Sequence, residues 1–104
     1  MKTLIINTSD NKEISVGLRT DGKEFIRKKK VDISKAQVTL PMIEKILLEN
    51  KLSLKDLDAI EVNTGPGSFT GLRVGIAIAN ALSFALKIPV NGKRIGNFAE
   101  ARYT

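Results

Sequence analysis

The stretch "NTGPGSFTGLRVGIAIANALSFALK", residues 63–87, constrains this chain more than any other. It sets Gly65, Gly67, Gly71 and Gly75 at the mouth of an apolar run interrupted only by Arg73 and Asn80. A helix that is apolar nearly all round has to be buried on more than one side. In a chain of 104 residues such a helix dominates the packing of one small domain. Gly71, Gly75, Ala79 and Ser83 recur every four residues, forming a stripe of small side chains that lets another backbone come close. Leu72, Ile76 and Phe84, with Val74, Ile78 and Leu82, lie on the flanking faces. The stripe is expected to seat another helix, either the chain's own first helix or one from a second molecule. The apolar region from Leu72 to Leu86 is expected to be too short to span a bilayer.

The loop that delivers this helix fails both specific phosphate fingerprints. A Walker motif needs Lys and then Ser or Thr after its second glycine, whereas Gly71 is followed by Leu72 and Arg73. The dinucleotide pattern G-x-G-x-x-G needs glycine at position 70, which is Thr70. A generic anion site remains open, because a helix N-terminus offers free N–H groups and a positive dipole end. Ser68 or Thr70 can cap that end. Arg73 stands in the first turn, where the dipole disfavours a cation unless a phosphate or carboxylate offsets it. Gly65, Gly67, Ser68, Thr70 and Arg73 are therefore the candidate anion-binding set. The alternative is that the glycines only make a tight turn and Arg73 points to solvent.

The remaining chain reads as strands followed by a helix. Residues 3–9, "TLIINTS", suit a buried strand, and residues 12–20 alternate Ile14, Val16 and Leu18 with Ser15, Gly17 and Arg19. Asp21-Gly22 is a hairpin turn leading to a charged return strand over 24–31. From Ile33 the period changes to that of an amphipathic helix, roughly 34–51, with Asp32 or Ser34 as cap and Pro41 inside it. A capped turn follows over 52–58, then a strand over 59–64, the glycine loop, the second helix over about 69–87, and a short strand in 88–93. Strands separated by helices imply parallel crossovers. The expected fold is α/β, a mixed five-stranded sheet with helices mainly on one face, similar to the ribonuclease H-like half-domain of actin-like ATPases and sugar kinases. The other face is polar along Asn7, Arg19 and Glu61, which favours a domain with that face open to water.

Composition narrows the chemistry. Without cysteine or histidine the chain has no thiol nucleophile, no thiolate metal site and no imidazole base. The first strand ends in Asn7-Thr8-Ser9, so Asp56, Asp58 and Glu61 find no matching acid there for a two-metal site. Catalysis is not expected. The net charge is +6, and residues 23–35 hold six basic side chains against two acidic ones. Arg27, Lys28, Lys29 and Lys30 either guard a sheet edge or meet an acidic partner or RNA.

The segment "GPGSFTGLRVGIAIANAL" resembles the signature of the TsaB (YeaZ-like) family of bacterial tRNA modification, and "LSLKDLDAIEV", "TLPMIEKIL" and "LIINTS" match its pattern. The resemblance covers nearly all of residues 3–92. It implies an actin-like fold and a non-catalytic, cytoplasmic partner of TsaD. That enzyme transfers a threonylcarbamoyl group to adenosine 37 of tRNAs reading codons that begin with A, and a TsaE ATPase joins the complex. Family members associate through the first two helices of their N-terminal domains. On this chain that face would use Leu40, Met42, Ile43, Ile46, Leu47, Leu72, Gly75, Ile76, Ala79 and Ser83. Three departures stand out: Asn7 replaces a usual Asp, Lys35 a frequent His, and Glu61 and Asn63 replace small residues. Residues 1–104 correspond to the N-terminal domain alone, so ATP or ADP held between two domains is not expected and no cofactor is implied. The expected partners are a TsaD-like protein, a TsaE-like ATPase, weak tRNA contact through Arg27 to Lys30, and a second copy when the chain is alone.

Overall fold

A computed structural model describes residues 1–31 and 35–102. Four strands, β1 (Thr3–Asn7), β2 (Glu13–Thr20), β3 (Lys23–Lys30) and β4 (Ala59–Val62), form one sheet in the order β3-β2-β1-β4. β1, β2 and β3 pair antiparallel, and β4 lies parallel to β1. Asp21 (φ 51°) and Gly22 (φ 75°) both turn through positive φ, as a two-residue type I′ hairpin requires. Helix α1 (Lys35–Glu49) makes the crossover from β3 to β4 and runs unbroken through Pro41. Helix α2 (Phe69–Leu86) follows β4. The expected caps Asp32 and Ser34 lie outside the described residues.

Period-two alternation sorts the sheet into two faces. Leu4, Ile6, Ile14, Val16, Leu18, Ile60 and Val62 are buried beneath the helices. From α1, Ile43, Ile46 and Leu47 pack onto them, and buried Thr39 satisfies its hydroxyl by donating to the Lys35 carbonyl at 2.7 Å. The opposite face carries an ion pair from Arg19 to Glu61 (2.7 Å) across β1 and a looser one from Arg19 to Glu24 (3.6 Å). These exposed pairs contribute little to stability.

The expected fifth strand is corrected to a single bridge between Ile60 and Val90. Asn91 (φ 52°) and Gly92 (φ 71°) turn the chain away before a longer ladder can form. The side chain of Asn91 then stands in for the missing strand. Its Oδ1 accepts from the Val62 amide at 2.8 Å, and its Nδ2 donates to the Val62 carbonyl at 3.0 Å. The main chain pairs alongside, with Asn91 N–H donating to Ile60 and Ile60 N–H to Pro89.

The segment from residue 93 to 102 folds back onto the domain. Asn80, the polar interruption in α2, grips the Ala99 backbone through both amide atoms, at 3.0 and 2.9 Å. The Arg102 amide donates to the Thr64 carbonyl at 2.6 Å. The polar residue in the apolar helix is therefore a tether for the tail.

Asn91→Ala removes two hydrogen bonds from the open edge of β4. A loss of about 1–3 kcal/mol is expected in urea unfolding. An unchanged midpoint would show that the side-chain amide does not support the sheet.

Candidate functional site

The start of α2 is built against the end of β1. Thr8 is fully buried, and its hydroxyl sits between two backbone groups of α2. It donates to the Gly71 carbonyl at 2.5 Å and accepts from the Gly75 amide at 3.0 Å. Gly71 and Gly75 are the i and i+4 positions that close one helical turn, so a hydroxyl from another element joins that turn from outside. Such closeness needs bare backbone. A Cβ on Gly75 would lie 2.4 Å from Thr8 Oγ1, and one on Gly71 would lie 2.3 Å from the Thr8 carbonyl oxygen. Lys35 closes the same corner from α1, its Nζ donating to the carbonyls of Thr8 (3.4 Å) and Asp10. Burial lowers the pKa of this ammonium, and the charge of Asp10 partly opposes that shift.

Three amides of the glycine loop and the helix start are engaged by the chain itself. The Ser68 amide donates to the Ser9 carbonyl at 2.8 Å. The Gly71 amide is capped by Ser68 Oγ at 3.2 Å, and the Gly65 amide by Asn63 Oδ1 at 2.8 Å. Gly67 lies so close to Ser9 that a Cβ would come within 2.7 Å of its carbonyl oxygen, and Gly65 (φ 114°) faces the Arg102 carbonyl in the same way. Exposed Thr70 lies in the first turn, and Ser68 rather than Thr70 is the cap. Arg73 places its guanidinium over the Phe69 ring, 5.5 Å from the centroid, a cation–π contact that offsets its unfavourable place at the dipole. Gly65, Gly67 and Ser68 thus form a turn docked on Ser9 and Arg102, with Thr70 and Arg73 in the first turn of α2.

The small-residue stripe is filled from within the chain. Gly71, Gly75, Ala79 and Ser83 are all buried, and α2 packs through them on β1 and β4. Ser83 uses its hydroxyl to hold the Ile88 carbonyl at 2.6 Å. The first two positions of the stripe, Gly71 and Gly75, seat the residue that follows β1, Thr8, and α1 also packs against α2. The opposite side of α2 is exposed along Phe69, Arg73, Ala77, Ala81 and Phe84, with Phe84 73% accessible. From α1, Leu40 (42%) and Leu48 (77%) are also exposed. By length and composition alone the 18 residues of α2 could cross a membrane, contrary to the expectation from Leu72 to Leu86. Its packing on the sheet makes it a core helix with one apolar side uncovered.

Comparison with known proteins places this geometry. The family model of TsaD, tRNA N6-adenosine threonylcarbamoyltransferase, matches residues 31–92. The chain belongs to this family, as a TsaB/YeaZ-like member. It is 37% identical over 92 residues to the tRNA threonylcarbamoyladenosine biosynthesis protein TsaB of Escherichia coli, covering 88% of this chain and 39% of that protein. It is 53% identical over 53 residues to TsaB of Buchnera aphidicola from Schizaphis graminum, covering 51% of this chain and 25% of that protein. The solved structure of YeaZ from Pseudomonas aeruginosa superposes with a TM-score of 0.82 at 34% identity, over 89% of this chain and 43% of that one. The chain thus spans about two-fifths of the length of the Escherichia coli and Pseudomonas relatives.

The TsaB-like residues assigned to an interface separate into two groups. Ile43, Ile46, Leu47, Leu72, Gly75, Ile76, Ala79 and Ser83 lie in the core, while Met42 is half-buried and Leu40 exposed. The helices are those expected, but most of the named residues are on their inward sides. Sequence periodicity could have separated the faces, since Phe69, Arg73 and Ala77 stand at four-residue steps opposite the glycines. The four basic residues of β3 are also split. Arg27 and Lys29 pair with Val16 and Ile14 and so share the helix side, whereas Lys28 and Lys30 pair with Ser15 and Glu13 on the other. Thr8, which organises the corner, carries no sequence signal beyond its place at the end of an apolar strand.

Two substitutions test this corner. Gly75→Ala gains about 1 kcal/mol of helix propensity, yet overpacking against Thr8 costs about 1–3 kcal/mol, so a lower thermal midpoint is expected. Thr8→Val removes both hydroxyl bonds to that turn of α2, at a cost of about 1–3 kcal/mol. A raised midpoint for Gly75→Ala would contradict the contact.

Proposed function

We propose that this chain is a non-catalytic, cytoplasmic subunit that docks on a TsaD-like threonylcarbamoyltransferase. It thereby supports threonylcarbamoyladenosine formation at adenosine 37 of tRNA, and it pairs with a second copy of itself when that partner is missing. The observation that carries the proposal is the exposed apolar side of α2, Ala77, Ala81 and Phe84, with Leu40 and Leu48 added from α1. Apolar surface of this kind, rimmed by polar residues, marks a protein contact. The family match and the TsaB relatives support the choice of a TsaD-like partner. The strand order β3-β2-β1-β4, extended by the Val90 bridge, supports the actin-like half-domain fold. A TsaE-like ATPase is a further partner on this account.

A nucleotide-holding role for the loop gains no support, because the Ser68 and Gly71 amides are already engaged and Arg73 stacks on Phe69.

Size exclusion with light scattering, with and without a TsaD-like protein, tests the proposal. The wild-type chain is expected to form a dimer alone and a mixed complex with the partner. Phe84→Glu and Ala77→Arg, both on the exposed side of α2, are expected to weaken docking at least about tenfold, equivalent to about 1.4 kcal/mol, while leaving the thermal midpoint unchanged. A monomer that never co-elutes with the partner would sink the proposal.

A further inference from the structure

The basic residues of β3 have a second feature that a solvated sheet edge does not explain. Between β3 and α1 lies a groove of about 380 Å³. Its floor is aliphatic, made by Val38, Pro41 and Met42. Three cations line it on the helix side, Arg27 and Lys29 from the strand and Lys45 from the helix, while Lys28 borders it with its side chain on the other face of the sheet. Among the described residues none of the lining is acidic. Arg27 has a partner at one end, Glu49 at 3.3 Å, while Lys29 and Lys45 stand on the two walls with no salt-bridge partner among the described residues. The strand beside the groove is the sheet edge. The two-residue turn makes Thr20 and Lys23 a hydrogen-bonded pair, so Glu24, Ile26 and Lys28 direct their backbone groups outward. Arg27 donates to the outward Ile26 carbonyl at 3.1 Å with its own guanidinium.

We infer that this groove binds an acidic, extended peptide segment carrying one apolar anchor residue. The anchor sits on Val38, Pro41 and Met42, and flanking carboxylates meet Lys29 and Lys45. The backbone lies along β3, where strand addition supplies main-chain hydrogen bonds. Charge complementarity selects the occupant: the charged residues of the described lining are all basic, and the floor rewards a buried aliphatic side chain. RNA suits the groove less well. A phosphate backbone makes no use of an aliphatic floor, and the lining has no ring on which a base could stack. Apart from Met42 the groove shares no residue with the assigned α1–α2 interface, and its test does not depend on whether that surface docks a TsaD-like protein.

Fluorescence anisotropy of the full chain with labelled Glu-Asp-Glu-Leu-Glu-Asp-Glu tests the inference. Saturable binding is expected, weakening between low and moderate salt. The double substitution Lys29→Glu with Lys45→Glu, on exposed positions, should reduce affinity at least about tenfold with an unchanged circular dichroism spectrum. Replacing the central Leu of the probe by Ser should reduce it at least about threefold. The inference is overturned if the double variant binds as wild type, if the Ser probe binds as well as the Leu probe, or if oligouridine binds more tightly than the peptide.

Discussion

One buried hydroxyl ties this domain together. Thr8 ends the central strand and places its Oγ1 between the Gly71 carbonyl and the Gly75 amide of α2. A buried hydroxyl left without partners would cost roughly 1–3 kcal/mol. Its two bonds require bare glycine at both helix positions, because any Cβ there collides with Thr8. The spacing of small residues in α2, the path of the glycine loop and the place of Lys35 at the same corner all follow from that contact. The glycines serve the approach of a strand end.

That contact also divides the surface of α2. Clamping Gly71, Gly75, Ala79 and Ser83 onto the sheet turns Ala77, Ala81 and Phe84 outward. A helix this apolar offers no polar outer side, so satisfying the core leaves an apolar surface uncovered. The tail from residue 93 to 102 is anchored through Asn80 and Thr64, beside the outward side of α2. Arg73 is the one charge on that outward stripe, and it lies over the ring of Phe69.

Much of the fold was legible because its signals were local. The alternation in β2, the Asp21-Gly22 turn and the apolar period of both helices each depend on neighbouring residues, and each element stands within a few positions of its expected bounds. The fifth strand was misjudged because Asn91 replaces backbone pairing with its side chain, and nothing in "IPVNGK" distinguishes the two. The site was less legible for a different reason. A stripe of small residues signals a close backbone without saying whose, and strand and helix leave the same trace. Asn80 and Thr8 act through partners 19 and 63 or more residues away, so no window of sequence contains their purpose.

The central claim is that the glycine side of α2 belongs to the core and the opposite side to a partner. The absence of cysteine makes thiol labelling of single-cysteine variants the most direct measurement. Ala81→Cys should react rapidly in the dilute chain and become protected when a TsaD-like protein is added, while Ser83→Cys should stay unreactive in both conditions. Rapid labelling of Ser83→Cys in the folded chain, or no protection of Ala81→Cys by the partner, would contradict it.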